Sequence, residues 1–179
     1  MRKSYKKFQE SRSSAIHISQ EALRLSKRAI FYLHQEKNKD ANSSLKDAEK
    51  ELQQLQKIWK KIPKLRYEGC VRAALEEYIE ARTYYQFIVN GKLKLVKEFD
   101  PESEEIVAGL ADFTGELVRY AVTIATQGNA KKVDQVQKVV ESVVEELLNF
   151  HLTGHLRQKF DEAKRNLHRI EDIRFKLNV

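Results

Sequence analysis

An all-α fold is predicted by three features of the chain. Only six glycines and two prolines interrupt 179 residues. Long stretches are dominated by Ala, Leu, Glu, Lys, Gln and Arg, the strong helix formers. No segment alternates apolar and polar residues between turn signals, as a half-buried strand does. The length fits a single domain over residues 1–179, with a core that needs no disulfide or metal staple. The pattern resolves into six or seven helices.

The first helix is expected over about 5–36, where Ile18, Ala22, Leu25, Ala29 and Tyr32 recur at three and four to form one apolar stripe. Lys3 with Lys7, and Arg24 with Arg28, are basic pairs expected on its wet side. The polar stretch from Lys37 to Asn42 reads as a turn. A second helix over about 42–61 points Leu45, Ala48, Leu52, Leu55 and Trp59 inward, and Pro63 ends it. The third, over about 67–89, carries Val71, Ala73, Ala74, Leu75, Tyr78, Ile79, Ala81, Tyr84, Tyr85, Phe87, Ile88 and Val89 almost all round its axis, the pattern of a buried helix. Asn90-Gly91 stops it. After a connecting piece over about 92–99, Asp100-Pro101-Glu102 and the acids Glu104 and Glu105 suit a helix start at the positive end of the dipole.

That fourth helix reaches about residue 126, with Ile106, Leu110, Phe113, Leu117, Ala121 and Ile124 as its stripe. Gln127-Gly128-Asn129 breaks it. A fifth helix over about 131–150 turns Val133, Val136, Val140, Val143 or Val144, and Leu147 inward. Thr153-Gly154 is a joint, and a last helix over about 155–177 carries Leu156, Phe160, Ala163, Leu167, Ile170 and Leu177.

Charge is unevenly distributed. Residues 1–40 hold ten Lys or Arg against four Asp or Glu, whereas 41–179 hold 23 against 22. A localised basic helix is an electrostatic footprint for nucleic acid or an anionic membrane, or a solvated face. No apolar run approaches the roughly 20 residues that span a bilayer. The basic N-terminus lacks the apolar stretch of a secretory signal. Cys70 is alone, which excludes an internal disulfide and suits a reducing compartment, so a cytoplasmic protein is expected.

Two acidic pairs stand out on otherwise apolar helices. Glu77 and Glu80 lie three apart in the third helix, and Asp112 and Glu116 lie four apart in the fourth, so each pair occupies one helix face. A buried carboxylate is costly unless something neutralises it. Converging, the four would make an all-oxygen site for Mg²⁺ or Mn²⁺. The bland reading makes them salt-bridged surface acids, with Arg72, Arg82 and Arg119 as partners. A di-iron bundle site is disfavoured, since no His follows Glu77, Glu80 or Glu116 by three residues. Scattered glycines provide no phosphate loop. His151 and His155 lack the intervening Glu of a zinc protease and read as surface or interface side chains.

The two acidic segments, Leu75-Glu76-Glu77-Tyr78-Ile79-Glu80-Ala81 and Gly109-Leu110-Ala111-Asp112-Phe113-Thr114-Gly115-Glu116-Leu117, resemble signature motifs of the translin superfamily, in its translin-associated factor X branch. Ser26 to His34 resembles the end of that family's long first helix. The resemblance implies a six- to seven-helix translin-like bundle that assembles into a hollow homo-oligomer, octamer-like in the family's manner, with an interior that binds RNA, single-stranded or short duplex. It also implies a metal-dependent endoribonuclease for single-stranded RNA, with Glu77, Glu80, Asp112 and Glu116 as catalytic and metal-ligating acids and Mg or Mn as cofactor. The chain lacks the long insertion before the fourth helix of the larger relatives and is similar to compact archaeal members built from one chain type. Lys6, Lys7, Arg24, Lys27 and Arg28 are the expected phosphate contacts. Tyr5 is placed to stack on bases, and Phe8 suits core packing. A non-catalytic RNA- or ssDNA-binding oligomer is the alternative reading.

Overall fold

The computed structural model describes residues 2–177, and every described element is helical. There are six α-helices: α1 (Arg2–His34), α2 (Asn38–Lys61), α3 (Gly69–Asn90), α4 (Ser103–Thr126), α5 (Ala130–Leu148) and α6 (Gly154–Leu177). A short 3-10 helix (Pro63–Tyr67) joins α2 to α3. The chain forms two compact units, one ending at Ile106 and the other beginning at Val107. No described helix is long and apolar enough to cross a membrane.

In the first unit α1 packs along both α2 and α3. Its buried seam is Ala15, Ser19, Ala22, Ser26, Ala29 and Leu33, at alternating spacings of four and three. Most of these side chains are small, which lets the helices approach closely. The two serines donate to carbonyls one turn back within α1, Ser19 Oγ to Ala15 O at 2.7 Å and Ser26 Oγ to Ala22 O at 3.0 Å. Their hydroxyls therefore need no outside partner. The expected stripe is rotated accordingly: Ala22, Leu25 and Ala29 are buried, but Ile18 and Tyr32 are only half-buried. On α2 all five predicted positions are buried. That helix begins at Asn38, not near residue 42, so only the residues around Glu36 (φ 59°) form the turn. Asp40 in the first turn favours the early start, being close to the positive helix end.

Pro63 ends α2 as expected and opens the 3-10 helix. Arg66 on that helix makes a bidentate pair with Glu105, Nη1 to Oε1 and Nη2 to Oε2, each at 2.6 Å. Both side chains are buried. The Glu102 backbone N–H also donates to Glu105 Oε2 at 2.9 Å, so Glu105 caps the start of α4 in the manner of a capping box. Burial opposes the charge on Arg66, but the hydrogen bonds and field of Glu105 outweigh it and raise the guanidinium pKa. Gly91, at φ 64°, terminates α3 in the left-handed conformation that glycine adopts without strain.

In the second unit α5 and α6 pack together. Val133, Val136, Val140, Val143, Val144 and Leu147 face inward as their spacing predicts. Asn129 caps α5, its side chain accepting from the Lys132 N–H at 3.1 Å. On α6 the core is Phe160, Ala163, Asn166 and Ile170, while Leu156, Leu167 and Leu177 are half-buried. Asn166 is buried because its amide donates to Thr114 Oγ1 on α4 at 2.9 Å. On α4 Phe113, Leu117, Ala121 and Ile124 are buried as expected, and Ile106 and Leu110 are half-buried.

Glu105→Gln leaves the Arg66 charge buried without its counterion, and is expected to cost about 3–5 kcal/mol in urea unfolding. The double variant Arg66→Met, Glu105→Met removes both charges and is expected to recover most of that loss. A single variant that unfolds at the wild-type urea midpoint would show that the pair contributes nothing.

Candidate metal and nucleic-acid site

On α3, Glu77 and Glu80 sit one turn apart. Glu80 is buried, at 8% exposure, although α3 is otherwise apolar. Glu77 is half-buried, and Lys27 from α1 brings its Nζ to 3.6 Å from Glu77 Oε2. Lys27 is mostly exposed, so this is a weak, screened contact. Between the two acids Tyr78 turns inward and donates to Glu49 Oε1 on α2 at 2.9 Å. Arg82 Nη1 lies 3.8 Å from the same oxygen. Burial, followed by the negative charge of Glu49, pushes the Tyr78 hydroxyl well above the usual tyrosine range. The hydroxyl therefore stays a donor, and its fixed bond to α2 holds the rotation of α3 and so the direction in which Glu77 and Glu80 project.

On α4, Asp112 and Glu116 share one face and are both half-buried. Lys159 of α6 hydrogen-bonds Asp112 Oδ2, and its own side chain is 15% exposed against 38% for Asp112. Glu116 pairs at 3.0 Å with Arg119, one of the three arginines weighed from sequence. Arg82 reaches Glu49 instead. Thr114, between the two acids, donates to Ala111 O at 2.6 Å and accepts from Asn166, which ties this stretch of α4 to α6.

The expected phosphate contacts of α1 separate into two kinds. Lys6 and Lys7 are exposed. Lys7 lines a small cavity of about 390 Å³ with Lys57 and Lys61 of α2. Arg24 is engaged with Glu21 at 2.5 Å, and Arg28 donates from Nε to Ser44 Oγ at 3.2 Å. Lys27 is the cation beside Glu77. Phe8 is half-buried under the Lys64 ammonium, 3.7 Å from its ring centre, while Tyr5 is exposed. His151 and His155 are exposed. Three participants were invisible from sequence: Lys159, Glu49 and the Lys27–Glu77 contact. Each joins residues far apart in the chain, and no local spacing signals it.

The donor chemistry of the acid faces is all oxygen, with no histidine, which suits a hard cation and not a redox metal. Among the described residues no group of three or more His, Cys, Asp or Glu side chains is gathered where it holds a metal ion. Within each unit the carboxylates come as a pair. That count fits Mg²⁺, which keeps several waters and takes one or two carboxylates together with substrate phosphates.

An all-helical chain with paired carboxylates on a buried helix is a class that narrow motifs can define, and here the motifs decide it. The chain belongs to the Translin family, whose model matches residues 10–179. It is 26% identical to the translin-associated protein X homolog of Schizosaccharomyces pombe, over 92% of this chain and 80% of that one. It is 29% identical to an uncharacterized protein of Methanocaldococcus jannaschii, over 86% of this chain and 70% of that one. Among solved structures, AfC3PO in complex with duplex RNA superposes with a TM-score of 0.90 at 24% identity, covering 99% of this chain and 94% of that chain. Apo-NeC3PO gives 0.89 at 21%, covering 98% and 94%. The family and the all-α fold read from the sequence are borne out.

The Tyr78 hydroxyl predicts an alkaline effect. Its folded pKa is raised, so its contribution to stability is complete below the unfolded value of about 10 and is lost as pH rises above it. Tyr78→Phe is expected to cost about 1 kcal/mol at neutral pH and to flatten the fall in stability above about pH 10. Parallel urea titrations of the two proteins at pH 8 and pH 11 check this; equal slopes with pH would refute it.

Proposed function

We propose that this chain is a Mg²⁺- or Mn²⁺-dependent endoribonuclease acting on single-stranded RNA as a homo-oligomer, octamer-like in size, in the cytoplasm. The observation that carries the reading is the burial of Glu80 within the Glu77–Glu80 pair of α3, taken together with the Asp112–Glu116 pair of α4, in segments that resemble signature motifs of the Translin family. A carboxylate kept inside an apolar helix needs a compensating cation or hydrogen bonds. Family membership, the similarity to a translin-associated protein X homolog and the fold shared with an RNA complex of C3PO all support the assignment. The lone thiol of Cys70 is compatible with a reducing compartment.

In this reading each pair, Glu77 with Glu80 and Asp112 with Glu116, would bind a cation together with its waters. Such an ion would supply Lewis acidity toward a phosphate oxygen and a bound water of lowered pKa. Lys159 fixes the Asp112 carboxylate in place, and Arg119 does the same for Glu116. Lys27, beside Glu77, meets the incoming phosphate, while Lys6, Lys7, Arg24 and Arg28 add attraction for the backbone along α1. One of the four carboxylates would take the proton of the attacking water as general base.

Glu80→Gln and Asp112→Asn test the chemistry. Each keeps size and removes one charge. Cleavage of a 5′-labelled single-stranded RNA with Mn²⁺ is expected to fall by more than about 100-fold in either, beyond the range for losing an outer-shell partner. RNA affinity and melting temperature are expected to stay near wild type. If the pairs act as a unit, the double variant is no worse than either single one. Wild-type cleavage by both variants would remove these acids from catalysis. Salt-sensitive RNA binding without cleavage by the wild-type protein, with either metal, would favour the binding-only oligomer.

Assembly has its own test. Leu148, Phe150 and Phe175 in the second unit and Phe31 in the first are large apolar side chains exposed in the single chain. Exposed apolar residues of this size mark contact surfaces when they are contiguous. Light scattering at micromolar concentration is expected to report a mass of several chains, and a monomer would overturn the oligomer.

A further inference from the structure

Between α3 and α4 the segment 91–99 carries three lysines, Lys92, Lys94 and Lys97, all exposed. It is pinned at two points. Val96 is buried at 2% exposure, and Phe99 meets the Tyr78 ring edge-on with centroids 5.6 Å apart. The Lys94 backbone N–H also donates to the Gln86 side-chain oxygen on α3 at 3.0 Å. Pinned this way, the segment and the C-terminal half of α3 enclose an open cleft of about 980 Å³. Its lining brings Arg82 and Tyr85 of α3 together with the three lysines, against a single acid, Glu98. Glu98 is engaged locally, its Oε2 accepting from the Lys97 backbone N–H at 2.9 Å.

Arg82 adds the feature that points to a ligand. Its Nε–H is buried and meets no acceptor among the described residues. Its guanidinium lies 5.8 Å from the Tyr85 ring centre. A buried donor of this kind is costly until an acceptor reaches it. Three lysines around one locally engaged carboxylate, with Arg82 beside them and its Nη1 3.8 Å from Glu49 Oε1 on α2, favour an oxygen-rich anion. A guanidinium offers such an anion a planar, bidentate set of donors, which phosphate matches in geometry.

We infer that the cleft of Arg82, Tyr85, Lys92, Lys94 and Lys97 is a binding site for the phosphates of an RNA backbone, separate from the acid pairs and from the basic face of α1. The assignment to RNA rests on the function proposed above. The cleft is far larger than one phosphate, and its lysines are spread over six positions of the chain, so it suits consecutive phosphates of a strand and not a single ion. The half-buried Tyr85 ring adds a surface on which an unpaired base stacks.

The test uses the full chain and the triple variant Lys92→Gln, Lys94→Gln, Lys97→Gln. All three side chains are exposed, so the fold is retained. Affinity for a labelled single-stranded RNA is measured across a salt series, and lysine acetylation is mapped with and without ligand. The expected result is weaker RNA binding, a salt slope shallower by about 2, as three lost contacts to single-stranded phosphates imply, and protection of the three lysines by RNA. An RNA affinity and slope equal to wild type, with no protection, would overturn the cleft while leaving RNA binding by the chain intact. Tripolyphosphate is the second probe. Protection by tripolyphosphate in a protein that binds no RNA would overturn the RNA assignment, here and in the proposed function, and would leave a site for a free polyphosphate. Protection by poly-glutamate and not by RNA would overturn the inference in favour of an acidic protein segment. Arg82→Gln is the check on the guanidinium: it is expected to weaken RNA binding further at equal melting temperature.

Discussion

The small-residue seam of α1 is the constraint on which the first unit depends. Alanines and serines at positions 15, 19, 22, 26 and 29 hold α1 close to α2 and α3. A larger side chain at these positions would force off-rotamer packing or a backbone shift. The consequence reaches beyond packing, because the cations that flank the seam are set down on definite partners. Arg12 takes the two oxygens of Glu68 at 2.7 and 3.0 Å, Arg28 reaches Ser44, and Lys27 comes within 3.6 Å of Glu77. A helix that reads in sequence as a free basic stripe is, in the folded unit, in part a set of placed contacts.

Two buried acids of this chain, Glu105 and Glu80, sit in different settings. Glu105 is wholly inaccessible, and both of its oxygens are taken, by the two Arg66 nitrogens and by the Glu102 backbone N–H. That is a closed structural arrangement, buried on every side, with the Arg66 guanidinium 5.3 Å from the Trp59 ring as well. Glu80 lies on a face that it shares with half-buried Glu77, one turn away and itself beside an exposed lysine. Two like charges one turn apart repel, and a helix does not gain stability from such a pair. In the proposed function the cation-binding role falls to Glu77 and Glu80 and not to Glu105, whose oxygens are both taken by Arg66 and Glu102.

Much of the fold was legible in the sequence because apolar periodicity decides helix faces wherever the core is built from large side chains. Leu45, Ala48, Leu52, Leu55 and Trp59 on α2, and the valines with Leu147 on α5, are buried as their spacing requires. Periodicity fails on α1, where the seam selects for size and not hydrophobicity. Ser19 and Ser26 are buried there, and Ile18 and Tyr32 are only half-buried. It fails again at Asn166, a polar residue made acceptable in the core by one bond to Thr114. The acids of the candidate site were legible as motifs, since their spacing is local. Their surroundings were not. Lys159 reaches Asp112 across 47 positions and Tyr78 reaches Glu49 across 29, and no pattern short of the fold connects such residues.

Charge shows the same limit. Counted in windows, the excess of cations belongs to residues 1–40, and the rest of the chain is nearly balanced. The fold redistributes that count. On α1, Arg12, Arg24 and Lys27 have acidic partners, which lowers the charge that helix offers to solvent. In the balanced remainder, acids such as Glu105, Asp112 and Glu116 are matched to Arg66, Lys159 and Arg119, and Lys92, Lys94 and Lys97 stand together around Arg82 with one acid among them. A polyanion responds to the local excess it can reach within about 10 Å at moderate salt, not to a total over a stretch of sequence. The cleft at the end of α3 is therefore a stronger electrostatic feature of the folded chain than the near-neutral count for residues 41–179 suggests.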